Sequence, residues 1–504
     1  MDHSHRIRAV LGLAALVLFV PLAACTAPSP PEPDTEETLP EIAPPLTIDE
    51  LPPYTGVVRL NAGSNCTGTL VETDADTAPA YVITNGHCVG DVGRAAQETT
   101  VDLDWFGTAD FFAVQGNEES ELVVDVAAIE YSTMHTTDMA VLRLDATLGE
   151  LREQGVLPLR IIEAEPQPGA AVVNVGVPVQ GLHPDAWVLR KGECALSEQD
   201  DLIEFRWLWF DVWSNDCPGV IQGSSGSPLI ADGEIAAVIN TTTAGIAEAV
   251  GGACWLNRPC EVVDGTPTMR LDTSYAQSVA GIGACFSDAG FALGGECPLT
   301  VTEVWAETGG GAYRGGDEPD PNGGLPSAAL AGRAAGDVMT AVVPLGDPRA
   351  CRATETYLGA PAVSVPAADT IEWDGPRPAV VAVDLPQEEG FWMLCVAAPG
   401  AESVGSAVLF EVDRTPPVIA AGASVEDIGD GAMVVWPHLD PPELSTVRFT
   451  WGAPDAVDCE NVDAFQDFFT QPLMLSADDL PASYCVIGLD SAGNATPVTR
   501  IEID

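Results

Sequence analysis

From Tyr54 onward the chain is cut into short runs rich in β-branched residues, each closed by a turn signal. Val57-Val58-Arg59-Leu60, Tyr81-Val82-Ile83-Thr84, Ala140-Val141-Leu142, Ala171-Val172-Val173 and Ile235-Ala236-Ala237-Val238-Ile239 are of strand length, and little helical periodicity lies between them. Chains cut up in this way bury their apolar side chains by stacking sheets or rolling them up. The expectation is therefore an all-β molecule, a sandwich or a pair of barrels. One stretch departs from the pattern. Residues 273–282 follow a plausible cap, Asp272, and end at Gly283, which predicts a helix.

The N-terminus bears on where the chain works. Arg6 and Arg8 precede an apolar run over residues 9–20, which ends in Leu22-Ala23-Ala24-Cys25. The run is too short for a comfortable membrane span. It resembles a bacterial lipoprotein signal; the alternative is an ordinary secretory signal with a cysteine near its cleavage site. The lipoprotein resemblance implies a signal peptide over 1–24, a lipidated Cys25, and export to the bacterial cell envelope with a lipid anchor, exposed at the surface or shed from it. Residues 26–53 hold nine prolines, from Pro28 to Pro53, with Glu32, Asp34, Glu36 and Glu37 among them, so 25–53 reads as an extended tether. No other segment reaches about 18 consecutive apolar residues.

Export changes the reading of the 13 cysteines. Without Cys25 an even number remains, and an exported chain can join them into as many as six disulfides. Connectivity is not deducible from sequence; proximity suggests Cys66–Cys88, Cys194–Cys217, Cys254–Cys260, Cys285–Cys297, Cys351–Cys395 and Cys459–Cys485. The charge balance, 20 basic against 75 acidic residues, excludes nucleic acid and electrostatic docking on an anionic membrane, since both need basic side chains. The excess is spread along the chain and reads as solubility and self-repulsion, in keeping with a monomer.

A glycine-rich stretch over 309–326 marks a composition break. Beyond it, Cys351 precedes Phe391-Trp392-Met393-Leu394-Cys395, and Cys459 precedes Tyr484-Cys485-Val486-Ile487. The two stretches read as diverged copies of one β-sandwich module, over 299–412 and 413–504, and the tail from Leu489 to Ala495 resembles the end of bacterial Ig-like or fibronectin-III-like repeats. No aromatic patch or motif stands out in them, so they read as spacers, with adhesion or substrate capture as the alternative. Asp317-Glu318-Pro319-Asp320-Pro321-Asn322-Gly323 clusters oxygen ligands, but in the wrong order for a calcium loop. No His/Cys cluster suggests zinc or iron, and no cofactor or metal is expected.

Three local patterns carry chemistry. His87 stands beside Cys88 at the end of a strand, in Ile83-Thr84-Asn85-Gly86-His87-Cys88. Asp138 opens an apolar strand, in Thr137-Asp138-Met139-Ala140-Val141-Leu142. Ser225 lies in a glycine-flanked turn, Gly223-Ser224-Ser225-Gly226-Ser227-Pro228. Singly they read as a loop histidine, a turn former and a flexible linker. Together they run His, Asp, Ser, at intervals of 51 residues (87 to 138) and 87 residues (138 to 225).

In that order and spacing, residues 54–298 resemble the chymotrypsin-like (trypsin-fold) serine peptidases. The resemblance implies a double six-stranded β-barrel with a C-terminal helix over 274–282, followed here by the two sandwiches. It implies that Cys66 and Cys88 form the disulfide bracing the histidine, and that Val175-Gly176-Val177-Pro178 is the family's mid-barrel turn. It also implies an activity, peptide-bond hydrolysis of protein or peptide substrates. Ser225 would attack, His87 would act as base and then acid, and Asp138 would orient the imidazole. The backbone N–H groups of Gly223 and Ser225 would hold the oxyanion.

The sequence departs from the family pattern in three places. Ser224 stands where animal members carry the aspartate that pairs with a new N-terminus, which puts that activation mechanism in doubt; Gly-x-Ser-Gly-Ser-Pro instead resembles secreted bacterial members such as glutamyl endopeptidases. Asn85-Gly86 replaces two alanines beside the histidine. Gly219 and Val220, six and five residues before Ser225, bring no acid to the substrate pocket, and Asn240, with Thr241 and Thr242, stands where glutamyl endopeptidases carry a histidine. A small or neutral P1 residue is expected. His135 reads as a surface residue. An α/β-hydrolase would need a glycine at 227 and the reverse triad order. The remaining rival is a catalytically inactive homologue that serves as a surface binding or adhesion lipoprotein.

Overall fold

The apolar runs are continuous rather than alternating because their two faces enter two different cores. Val58, Val82 and Leu142 point into the first barrel with Leu60, Leu70, Phe111 and Ile129. Their neighbours Val57, Ile83 and Val141 point the other way, into a core shared with Val175, Leu189, Ile235 and Val238 of the second barrel. Successive side chains of a strand alternate faces, so a strand buried on both sides must be apolar throughout.

In the computed structural model, the described residues are 42–73, 75–89, 98–117, 121–246, 254–308, 311–314, 327–367, 379–400, 405–417, 421–429, 431–437, 444–468 and 472–504. They belong to one compact unit, Leu39–Asp504. The expected signal peptide, Cys25, most of the tether and the acidic run over 317–323 lie outside the described residues. No described helix is long and apolar enough to cross a membrane.

The first barrel is built from β1 (Val57–Asn61), β2 (Asn65–Leu70), β3 (Pro79–Thr84), β4 (Thr99–Asp104), β5 (Thr108–Phe111), β6 (Leu122–Thr133) and β7 (Met139–Thr147). Their order is β4-β6-β5-β1-β2-β3-β7, and β6 also pairs with β7, so six strands close with β4 alongside. A short helix, Leu148–Glu153, follows, started by a capping box between Thr147 and Glu150. It is the one α-helix among the described residues.

The second barrel follows β8 (Arg160–Ile161). It comprises β9 (Ala171–Gly176), β10 (Arg190–Glu204), β11 (Trp207–Asn215), β12 (Pro228–Ala231) and β13 (Glu234–Thr242), then β14 (Cys260–Val263), β15 (Thr266–Thr268) and β16 (Ser274–Ser278). The ring β11-β16-β13-β12-β9-β10 closes through a β10–β11 pairing, around Val172, Leu196, Trp213, Leu229 and Ile239. All-β architecture with paired six-strand barrels is therefore the fold.

The expected helix over 274–282 is not formed. Residues 274–278 are the strand β16, paired with β11 on one side and β13 on the other, which completes the ring. Ala276 faces the barrel core while Tyr275 faces a cluster with Trp207 and Trp209. That alternation is a strand's, and two waiting strand edges outweigh the local signals of Asp272 and Gly283. Only a 3-10 turn, Ile282–Cys285, follows, entered at Gly281 with φ +76°.

After a hairpin of β17 (Phe286–Ser287) and β18 (Gly290–Phe291) come two sandwiches. The first stacks β19 (Val304–Thr308), β21 (Ser327–Gly332) and β24 (Ala379–Ala382) on a five-strand sheet, with Val304, Leu330, Leu394 and Phe410 between. The five strands are β20 (Ala312–Tyr313), β22 (Gly336–Pro344), β23 (Ala362–Val365), β25 (Gly390–Ala397) and β26 (Ser406–Val412). The second sandwich has sheets of three and four strands around Val435, Val447, Leu475 and Tyr484. Disulfides join Cys66–Cys88, Cys194–Cys217, Cys254–Cys260, Cys285–Cys297, Cys351–Cys395 and Cys459–Cys485. The first sandwich does not stand off from the barrels. Leu345, Cys351, Tyr357, Met393 and Leu409 share one core with Ile203, Leu208 and Phe210 of the second barrel.

Candidate active site

The candidate site lies at the junction of the barrels. β3 ends at Thr84 and runs through Asn85 into a 3-10 turn, Gly86–Cys88, which carries His87. Gly86 has to be glycine, because a Cβ there would lie 2.1 Å from the carbonyl oxygen of Thr133. Cys88 ties the turn to β2 through Cys66. Asp138 immediately precedes β7 and is fully buried. Its Oδ2 is 2.6 Å from His87 Nδ1, and its Oδ1 accepts the His87 backbone N–H at 3.0 Å. Asn85, also fully buried, donates from Nδ2 to the carbonyl oxygen of Asp138 at 3.0 Å. The departure from two alanines thus has a structural meaning. Asn85 clasps the aspartate's backbone, and Gly86 lets the turn close on β6.

Burial by itself pushes the His87 imidazole down. The Asp138 carboxylate outweighs it, helped by the charge of Glu204, and His87 titrates above its ordinary value. Glu204 was not legible as a site residue. It ends β10, is buried, and its Oε1 accepts the Asn257 N–H at 2.8 Å. Burial pushes its carboxyl up, against the Asn257 N–H and the Thr241 hydroxyl.

Ser225 sits on a turn that glycine makes possible. Gly223 has φ +97° and Gly226 φ +81°, and a Cβ on Gly226 would lie 2.0 Å from the Thr67 carbonyl oxygen. The turn closes on itself through Ser224 N–H to the Ile221 oxygen (2.9 Å) and Ser227 N–H to the Ser224 oxygen (3.0 Å). Thr67, on the first barrel, stitches it in place. Its N–H donates to the Ser225 oxygen (2.8 Å) and its Oγ1 donates to the Gly223 oxygen (3.0 Å) while accepting the Val177 N–H (2.9 Å). A lone threonine in a strand gives no local signal of such a role. Among the described residues no protein acceptor takes the N–H of Gly223 or Ser225. The Ser225 Oγ lies 3.5 Å from the carbonyl oxygen of Asn240 and makes no hydrogen bond to His87.

The residues expected around a substrate pocket are placed differently from one another. Gly219 (φ +74°) abuts Ala43, whose backbone nitrogen would be 2.4 Å from an added Cβ. Val220 is packed in the second barrel with Cys217 and Ile239. Asn240 is buried at a bulge of β13 beside Ser225, with no partner for either amide atom, and Thr241 and Thr242 follow it half-buried. His135 is not a surface residue. It is buried under residues that follow the barrels in sequence, its Nδ1 3.2 Å from Thr302 Oγ1, and burial together with Arg352 holds it down to about 3. Spacing along the first barrel could not reveal a cover that arrives 167 residues later. Ligand atoms of Cys66, His87 and Cys88 lie within 4.8 Å of one another. The two sulfurs are bonded to each other, so neither is a thiolate ligand, and the trio does not fit a metal.

The family model of the trypsin-like peptidase domain matches residues 66–238. The match thus falls on the paired barrels, which resemble a trypsin-like peptidase domain, and further β modules follow them. Among solved structures, human heparin binding protein is similar at 14% identity with a TM-score of 0.32, over 48% of this chain and 92% of that one. A Glu endopeptidase bound to MPD is similar at 16% identity with a TM-score of 0.34, over 48% of this chain and 94% of that one. No curated protein matches the chain.

Proposed function

We propose that the chain is a serine endopeptidase in which Ser225 attacks the substrate carbonyl, His87 takes its proton and passes it to the leaving amine, and Asp138 fixes the His87 tautomer. The observation that carries this reading is the 2.6 Å contact of His87 Nδ1 with the buried Asp138 carboxylate, within a trypsin-like match that also holds Ser225. With Nδ1 engaged, Nε2 is left to serve as the base. The hydroxyl then has to turn from the Asn240 carbonyl to His87, a tightening that bound substrate commonly brings. The uncommitted N–H groups of Gly223 and Ser225 supply the oxyanion donors, worth about 10²–10³ in turnover each. The wall offered by Asn240, Thr241 and Thr242 carries no charge and suits a small or neutral P1 residue. Six disulfides favour an oxidising compartment, in line with export and lipidation at Cys25.

A fluorophosphonate probe tests the reading. Labelling confined to Ser225, and lost in Ser225→Ala, is expected. Folded protein that stays unlabelled would overturn it in favour of a surface-binding homologue.

A further inference from the structure

We propose that the first C-terminal sandwich is a working part of the peptidase rather than a spacer: its Arg349 and Arg352 brace, through Phe210, the strained segment 134–137 that delivers Asp138 to His87. The proposal rests on the peptidase reading above for its effect on turnover, and on geometry for the brace.

Thr136 has φ +61°. For a β-branched residue that is an outlier, held only where surroundings over-determine it, at about 1–3 kcal/mol. The surroundings come from the second barrel. The Phe210 N–H donates to the Thr136 oxygen at 3.0 Å, and Trp209 Nε1 donates to the Met134 oxygen at 3.0 Å. The sandwich in turn holds Phe210. Arg349 and Arg352 lie over its ring, 4.5 and 4.2 Å from the centroid. Arg349 is anchored by Asp201 at 2.7 Å and Asp211 at 2.9 Å, on the two strands that flank this corner. Arg349 is thus fixed by two acids while its plane covers an aromatic face, an arrangement lysine could not reproduce. A small cavity closes the contact, with His135, Thr136 and Phe210 on one side and Pro348, Cys351 and Arg352 on the other. From below, Thr302 meets His135 Nδ1 at 3.2 Å and Thr99 Oγ1 at 3.0 Å, so the connecting segment pins the same loop. Only Thr137 separates Thr136 from Asp138, and movement of that segment moves the carboxylate.

Thr136→Gly gives a decisive test, because glycine holds φ +61° without strain and no longer needs the brace. The full chain is compared as wild type, Arg349→Ala/Arg352→Ala, Thr136→Gly and the triple variant. Each is followed by fluorophosphonate inactivation kinetics and by amide hydrogen exchange over residues 134–139. In the double variant the maximal inactivation rate is expected to fall about 10-fold with half-saturation nearly unchanged, since misplacement affects the reacting geometry rather than probe binding. Exchange over 134–139 should rise, and adding Thr136→Gly should restore most of the rate. An unchanged rate and unchanged exchange would overturn the proposal. So would a loss that Thr136→Gly fails to restore, because removing the strain at 136 should remove the need for the brace. If the double variant does not fold, Phe210→Leu, which keeps an apolar side chain but removes the covered ring, is held to the same outcomes. If wild type is never labelled, the peptidase reading fails, and the exchange comparison still decides the brace.

Discussion

Asp138 and Ser225 reach the same junction from different barrels and are held in different ways. The aspartate, on the first barrel, is fully buried and gripped by His87 at 2.6 and 3.0 Å and by Asn85 at 3.0 Å. The serine, on the second, is half-buried on a turn between two left-handed glycines, and its hydroxyl has one contact, at 3.5 Å. One half is fixed by charge-assisted bonds inside a closed core. The other is fixed by backbone shape, which leaves the Ser225 hydroxyl free to rotate. The difference suits the proposed roles, since the carboxylate never moves during the reaction whereas the hydroxyl must swing to its base.

Asp138→Asn should do the greatest damage, lowering kcat about 10⁴-fold while the chain stays folded, because the amide favours the wrong His87 tautomer. A loss of only a few fold would erase the contrast between the halves. Gly226→Ala attacks the other half through its backbone. With a Cβ 2.0 Å from the Thr67 oxygen, it should destabilise by about 2–4 kcal/mol in chemical denaturation and abolish labelling of Ser225. Asn85→Ala leaves the buried Asp138 carbonyl unpaired. A destabilisation of about 1–3 kcal/mol is expected, with kcat reduced more than KM is raised. Thr67→Val removes the two Oγ1 bonds of the stitch between barrels at similar volume while keeping its backbone N–H bond, and should lower the labelling rate of Ser225 while leaving the His87 titration, followed by NMR, where it was. If it shifts His87, the halves are not independent.

The smallest effect concerns acid–base balance. His87 is raised above its ordinary value, so the acid limb of kcat/KM should lie above about pH 6.5. Glu204 contributes negative charge to that rise. Glu204→Gln makes the imidazolium less favourable, lowers the His87 value, and should move the acid limb to lower pH. An acid limb that stays where it was would show that Glu204 is neutral when His87 titrates.

What could be read from sequence follows the range of the forces involved. Strand runs such as Ile83 and Val141 were legible because burial on both faces writes itself into composition. His87, Asp138 and Ser225 were legible as candidates only through their joint order and spacing, while Gly223 and Gly226 mark the turn at Ser225 because their own φ values are positive. The strand over 274–278 was not, because the capping signal at Asp272 is local while the edges of β11 and β13 come from 59–65 and 32–41 residues away. Thr67 and Asn85 act through hydrogen bonds to distant backbone, and nothing beside them in sequence marks it. His135 was misread for a related reason, its cover being supplied by residues that follow both barrels.

The core that Leu409 and Met393 share with Ile203, Leu208 and Phe210 makes the first sandwich and the second barrel hard to part. A cut in the glycine-rich sequence over 309–326 would leave the two joined by that core and no longer by the chain. Severing and separating the chain there would bare an apolar face of the second barrel, and such faces stick to one another and to other proteins. On the proposed anchoring at Cys25, a released form that keeps this core would be cut upstream of Ile42, which with Ala43 lies against the Gly219 turn, and would carry the first sandwich away with it.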